Sequence, residues 1–215
     1  MMGELAAVTR RSRFPVTLVV GVLLLAAVLA GGGVVAWQVW GTAALGREHA
    51  AREVAALRER WAAGQTVPVQ GEAAWIMRIP ALEDRVEWPV RAGVADEQLT
   101  DGLGWYPGSA RPGEIGNFAV AGRWLTSGEP LRGWFELPPG TTVQVETATE
   151  IVTYELISAP GGLTVGRDEQ WVLDPVPGRD EVPSQALLTV TTHEDLLPGP
   201  DVSVAFGRLT DKELK

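Results

Sequence analysis

TTVQVETATEIVTYEL, residues 141–156, alternates apolar and polar side chains twice over. Val143 and Val145 are set between Thr142, Gln144 and Glu146, and Val152, Tyr154 and Leu156 interleave with Thr153 and Glu155. A period of two puts one set of side chains on each face of a strand. The short Thr147–Glu150 link joins the two runs at hairpin spacing, and Pro138-Pro139-Gly140 marks the turn before them. This segment predicts a β-hairpin with one buried face.

Outward from the hairpin, the sequence repeats the same style. AAWIMRIPAL, EWPVRAGV, NFAVAGR, QWVLDPV, ALLTVTTH and VSVAFGRL are short β-rich runs bounded by Gly, Pro, Asp or Asn. With the hairpin they make eight expected strands at short intervals and few helical stretches. That pattern predicts a mainly β fold, a closed or nearly closed barrel rather than a βαβ sheet. No repeat of fixed period is present, which argues against a propeller or solenoid. Segments 96–101 and 131–136 are expected as single helical turns, and residues 210–215 as a polar, frayed tail.

Before the barrel, TAALGREHAAREVAALRERWAA (42–63) is free of proline. Its Ala43, Leu45, Ala50, Val54, Leu57 and Trp61 recur at three- to four-residue steps. A short amphipathic helix is expected, with a stripe able to pack on its own domain, the bilayer surface or another chain. Gly64-Gln65-Thr66 and Pro68 end it. Earlier still, 14–40 is an uncharged run, FPVTLVVGVLLLAAVLAGGGVVAWQVW. Roughly 20 apolar residues cross a hydrocarbon core, whereas a signal peptide's apolar region has only about 7–15. Trp37 and Trp40 suit an interfacial belt, and Arg10, Arg11 and Arg13 place the N-terminus in the cytoplasm. The expected plan is a cytoplasmic tail (1–14), a transmembrane helix (15–40), a juxtamembrane helical stalk (41–67), a barrel domain (68–210) and a polar tail (211–215). The barrel is then expected on the extracellular, cell-wall side of a single-pass plasma-membrane protein.

Composition narrows the function. The chain of 215 residues carries a formal charge of −9; residues 1–14 hold three arginines against Glu4, so the remainder holds −11. Nucleic-acid binding, which depends on cations neutralising phosphates, is not expected. There is no cysteine in the sequence, which excludes disulfides, thiolate metal sites and a cysteine nucleophile. His193 and His49 are the two histidines, and His193-Glu194-Asp195 alternates faces and does not converge. No metal and no cofactor are expected.

IPAL (79–82), WPVRAGV (88–94), DEQLTDGLGWYPGSARPGEIGNFAVAG (96–122), LPPGTTVQVET (137–147), WVLDPVPG (171–178) and ALLTVTT (186–192) resemble, in order, the successive blocks of class E sortases. These are membrane-anchored transpeptidases of actinobacterial surfaces. The resemblance implies an eight-stranded sortase barrel whose groove receives a Leu-Pro/Ala-x-Thr-Gly signal, cleaves Thr–Gly through a cysteine thioester and passes the product to an amine. It also implies three functional positions: a histidine after the NFAVAG block, a cysteine after the TLTT-like strand, and an arginine opening the last strand. Those positions hold Arg123, His193, and either Asp201 or Val202. All three are substituted, and no shift of alignment supplies a thiol.

The resemblance places Tyr106 beside a peptide groove, with Trp105, Trp124 and Thr191 as further candidate lining residues and Trp134 and Phe135 near the same mouth. The leading expectation is a non-catalytic sortase homologue that binds or positions a sorting-signal-bearing surface polypeptide, or assists an active sortase. Two others stand beside it. One is a sortase-fold hydrolase or transpeptidase with non-cysteine chemistry, for which Ser127 or Thr191 with His193 are the candidates. The other is a purely structural extracytoplasmic module.

Overall fold

The computed structural model describes residues 20–26, 28–29, 42–83, 86–125, 128–192 and 199–215. The chain divides into two units, Met1–Gln38 and Val39–Lys215. In the first, residues 20–26 and 28–29 are helical. Most of the expected span 15–40 lies outside the described residues, and among those described no helix is long and apolar enough to cross a membrane.

The second unit opens with helix α1 (Thr42–Ala62) and carries a one-turn helix α2 (Pro80–Glu83). Its strands are β1 (Ala73–Arg78), β2 (Trp88–Ala92), β3 (Leu103–Trp105), β4 (Gly116–Gly122), β5 (Thr142–Glu146), β6 (Glu150–Leu156), β7 (Thr164–Gly166), β8 (Ala186–Thr192) and β9 (Asp201–Leu214). The pairings run β1-β2-β3-β4-β8-β9-β6-β5 and return to β1, so eight strands close a barrel. The short β7 adds to β9 outside that ring. β2–β3 and β4–β8 are parallel and the remaining pairs antiparallel.

Closure removes the unpaired edges that an open sheet would expose. It also gives every strand an inward face. Phe118 and Val120 of β4, Leu188 and Val190 of β8, Val143 and Val145 of β5, and Val152 and Tyr154 of β6 are all fully buried in one core. Trp75 anchors it, edge-on to Trp105 at 5.2 Å and to Phe118 at 5.6 Å. Tyr154 Oη accepts the Gly113 N–H at 2.7 Å, and burial pushes this phenol well above its ordinary pKa.

Helix α1 packs on its own domain, one of the surfaces open to its apolar stripe. Ala50, Val54 and Leu57 are buried, the last two against Ala73 and Ile76 of β1, while Leu45 of the same stripe is exposed. At Gly46 the helix approaches the loop so closely that a Cβ would lie 2.5 Å from the Cα of Gly128. Around the buried stripe, Arg58 makes a bidentate pair with Glu87 (2.9 Å for both bonds) and reaches Glu146 at 2.5 Å. Arg91 of β2 binds Glu53, and Arg60 binds Glu72.

Two expectations are corrected. QWVLDPV is not a strand: Gln170–Leu173 is a 3-10 turn. Its carbonyls are met by side chains instead of a ladder, since Asn117 Nδ2 donates to Val172 O (3.1 Å) and Asp174 O (3.0 Å). The tail 211–215 is not frayed, because β9 continues to Leu214, pairing residue by residue with β6 up to Glu150. Lys215 then binds Glu146 at 2.7 Å and lies over the Trp61 ring. Finally, β3 replaces QWVLDPV in the set of eight barrel strands.

Candidate peptide groove

The outer faces of β4, β8 and β9 form one continuous surface. The register sets Ala121 beside Thr191 and Thr191 beside Val204, so the period of two turns Ala121, Thr191, Val202 and Val204 outward together. The chain from Leu163 to Leu173 folds back over part of this surface. Val172 and Val165 bury Val204, with Val202, Leu173, Trp171 and Phe206 around them.

Two wholly buried polar residues hold that flap. Thr189 Oγ1 donates to Asn117 Oδ1 at 2.8 Å, and the Asn117 amide donates to the flap's carbonyls. Buried polar groups are retained only when paired, and here the pairing ties the flap to β4 and β8.

Beyond the flap the surface stays open as a cavity of about 330 Å³. Tyr106, Arg123, Trp124, Thr191, Thr192 and Val202 line it, with the flap residues Arg167, Val172 and Leu173 opposite. Tyr106 Oη and Thr191 Oγ1 are hydrogen-bonded at 2.9 Å, across β4. Arg123 follows the last residue of β4, and its Nη2 donates to Asp96 Oδ1 at 2.8 Å. Thr192 is 2% exposed, and its Oγ1 has no hydrogen-bond partner among the described residues.

The residues marked from the sequence divide as follows. Tyr106, Trp124, Thr191, Arg123 and Val202 meet at this cavity. Trp105 turns the other way: it packs on Trp75, and its Nε1 donates to Ala110 O at 3.1 Å. Trp134 is fully buried in the core, and Phe135 meets Trp124 edge-on at 5.0 Å. Asp201 is exposed at the start of β9, opposite Gly166, whereas Val202 lines the cavity. His193, Glu194, Asp195 and Ser127 lie outside the described residues. His49 sits on α1, 3.2 Å from Asp101. Among the described residues no cluster of three His, Asp or Glu side chains converges as a metal site would require.

Sequence reasoning missed Asn117, Thr189, Arg167 and Asp96. Asn117 carries a signal in retrospect: a polar amide inside an otherwise apolar strand must find buried partners.

The sequence profile of the sortase domain matches residues 77–201, a span that includes every strand from β2 to β8 and most of the cavity lining. The chain belongs to the sortase family. It is 29% identical over 158 residues to the sortase SrtE1 of Streptomyces coelicolor, a match covering 66% of this chain and 42% of that protein. The match thus spans about two-fifths of the length of that curated relative. The structure of sortase E from Streptomyces avermitilis superposes with a TM-score of 0.60 at 31% identity, covering 68% of this chain and 93% of that one. That of sortase E1 from Streptomyces coelicolor, with a tripeptide in its active site, gives 0.59 at 25% identity, covering 69% and 94%. The likeness is to class E sortases, and the eight-stranded ring is the sortase barrel.

Proposed function

We propose that this chain is a membrane-anchored class E-like sortase homologue that binds or positions a surface polypeptide, or assists an active sortase, without cleaving the signal itself. One observation carries the reading: a sortase barrel with an open groove is built from a sequence containing no cysteine.

Acyl transfer in this family runs through a thioester, which only a thiolate can form, being both populated near neutral pH and strongly nucleophilic. We read Arg123, His193 and Val202 as the three vacated functional positions. A guanidinium keeps its proton and cannot serve as general acid or base. Valine offers no donor to a developing oxyanion. The tripeptide in the active site of the S. coelicolor relative supports a peptide as the occupant of the corresponding groove here. The uncharged run 15–40 and the arginines before it support a single-pass anchor with the barrel on the cell-wall side.

The test is incubation of the full chain with Leu-Pro-x-Thr-Gly and Leu-Ala-x-Thr-Gly peptides. Neither is cleaved, and thiol reagents change nothing. Turnover that survives purification and disappears in His193→Ala would overturn the reading in favour of non-cysteine chemistry.

A further inference from the structure

One wall of the groove is a turn rather than a strand. Val94, Asp96 and Leu99, on the connection from β2 to β3, line the cavity. Hydrogen bonds within this turn are local: the Gln98 and Leu99 N–H groups donate to Ala95 O, and Thr100 Oγ1 donates to Asp96 O. At its exit Asp101 takes φ 56, the left-handed region that a residue other than glycine holds only when its surroundings support it.

That support comes from helix α1. Gly46, His49 and Glu53 are spaced three and four residues apart, which sets them on one helix face. His49 Nδ1 lies 3.2 Å from Asp101 Oδ2. At Gly46 the approach is so close that a Cβ would lie 2.5 Å from both Asp101 Oδ1 and Gly128 Cα. Glu53 binds Arg91 of β2, whose Nε donates to Oε1 at 2.9 Å.

The same guanidinium reaches the turn. Arg91 Nη1 donates to Gln98 O at 2.8 Å and to Thr100 O at 2.5 Å. Its side chain is 12% exposed, and charge-assisted bonds in so sheltered a place fix geometry well. Gly102 leaves room for it, since a Cβ there would lie 2.9 Å from Arg91 Nη1. At the groove end of the turn, Asp96 accepts the Arg123 Nη2 bond. A continuous chain of polar contacts therefore runs from α1 through Arg91 and the turn to the cavity.

We propose that Arg91 is a positioning residue that couples the docking of α1 to the shape of the groove. With the helix in place the turn stands as a wall; with the helix displaced the wall is released and a peptide binds less tightly. A released wall lowers the fraction of molecules competent to bind, and apparent affinity falls by that fraction. This rests on the reading of the cavity as a peptide groove and adds how that groove is controlled.

The test is hydrogen exchange and calorimetric titration of the full chain in detergent micelles, with the C-terminal amide of Leu-Pro-Ala-Thr as the probe. Gly46→Leu forces a side chain against the Gly128 backbone, Glu53→Lys sets a cation against Arg91, and Arg91→Met removes the bridge. Glu53→Gln keeps an acceptor for Arg91, and Ala51→Leu enlarges an exposed position of the same helix. The first three variants are expected to speed exchange of the amides of residues 96–101 by about 10-fold or more, as for loss of one charge-assisted hydrogen bond. β4 and β8 stay protected, and the peptide binds about 3-fold or more weaker. Glu53→Gln and Ala51→Leu stay near the parent in both measurements. Faster exchange in α1 without faster exchange at 96–101 overturns the coupling. A released turn with unchanged peptide affinity overturns the control of the groove and leaves the groove reading standing. No binding of the peptide to the parent at millimolar concentration overturns the groove reading and the inference with it.

Discussion

Thr189 Oγ1 donates to Asn117 Oδ1 at 2.8 Å, with both residues fully buried between the barrel wall and the flap that borders the groove. The pair is the hinge point between fold and site, because the Asn117 amide uses its two donors on the flap carbonyls of Val172 and Asp174. Thr189→Val removes the hydroxyl and leaves a buried amide oxygen unpaired. Asn117→Leu leaves Asp174 O without its side-chain donor and Val172 O with the Thr189 hydroxyl alone. Each is expected to cost about 1–3 kcal/mol. The amides of Gln170–Leu173 should gain faster hydrogen exchange in both variants. Unchanged exchange there, with stability lost elsewhere, would refute the role given to this pair.

Arg58 links α1 to the barrel through Glu87 and Glu146. The Arg58 hydrogen bonds hold the Glu87 carboxyl below its usual range against the opposing effect of burial. For Glu146, burial pushes upward, but hydrogen bonds from Arg58 and Lys215 outweigh it and leave the carboxyl lowered. A carboxyl lowered on folding contributes stability above its unfolded pKa of about 4.3 and loses it as pH falls through the folded value. Arg58→Leu is therefore expected to melt a few degrees below the parent at pH 7, with the gap shrinking as pH drops below about 4. A gap independent of pH, followed by thermal melts across that range, would assign the loss to packing instead.

Removal of residues 211–215 tests the closure of the barrel. It takes away the pairing of Asp211–Leu214 with Glu150–Thr153 and the Lys215 bond to Glu146. Several ladder bonds at about 1 kcal/mol each predict a loss of roughly 2–4 kcal/mol by urea denaturation, and the freed edge of β6 should promote association. A frayed tail would be removable without effect.

Much of this was legible in the residues. Seven of the eight expected strands formed, because each carries a long alternating or apolar run that only a two-sided wall can bury. Leu103–Trp105 is not legible because three residues with Gly104 at their centre carry no measurable period, and tertiary pairing alone makes them a strand. QWVLDPV misleads for the opposite reason: Val172 is buried and Trp171 and Leu173 half-buried, but by covering Val204 from outside the barrel. The tail's polar composition suits a strand with solvated side chains as well as a frayed end, and only the length of β6 decides between them. At the site, the resemblance marks Tyr106, and the strand period singles out Thr191. Neither marks Arg167, since it enters the cavity from a flap whose path no local pattern specifies.

The reading of Arg123, His193 and Val202 as vacated positions makes a graded prediction about restoring chemistry. His193→Cys alone introduces a thiol next in sequence to Thr192, and on this reading it faces Arg123 as the vacated positions would. A nearby cation favours thiolate, so this variant is expected to react readily with iodoacetamide. It should still turn over signal peptide barely or not at all. Arg123 cannot give a proton to the leaving amine, and loss of a general acid costs about 10²–10⁴ in rate. Val202 offers no oxyanion donor, a loss of about 10²–10³. Adding Arg123→His and Val202→Arg restores both groups, and the triple variant should exceed the single one by on the order of 10⁴ or more in peptide cleavage. Equal rates for the single and triple variants would show that Arg123 and Val202 do not occupy the vacated positions. In that case Asp201→Arg becomes the substitution to compare.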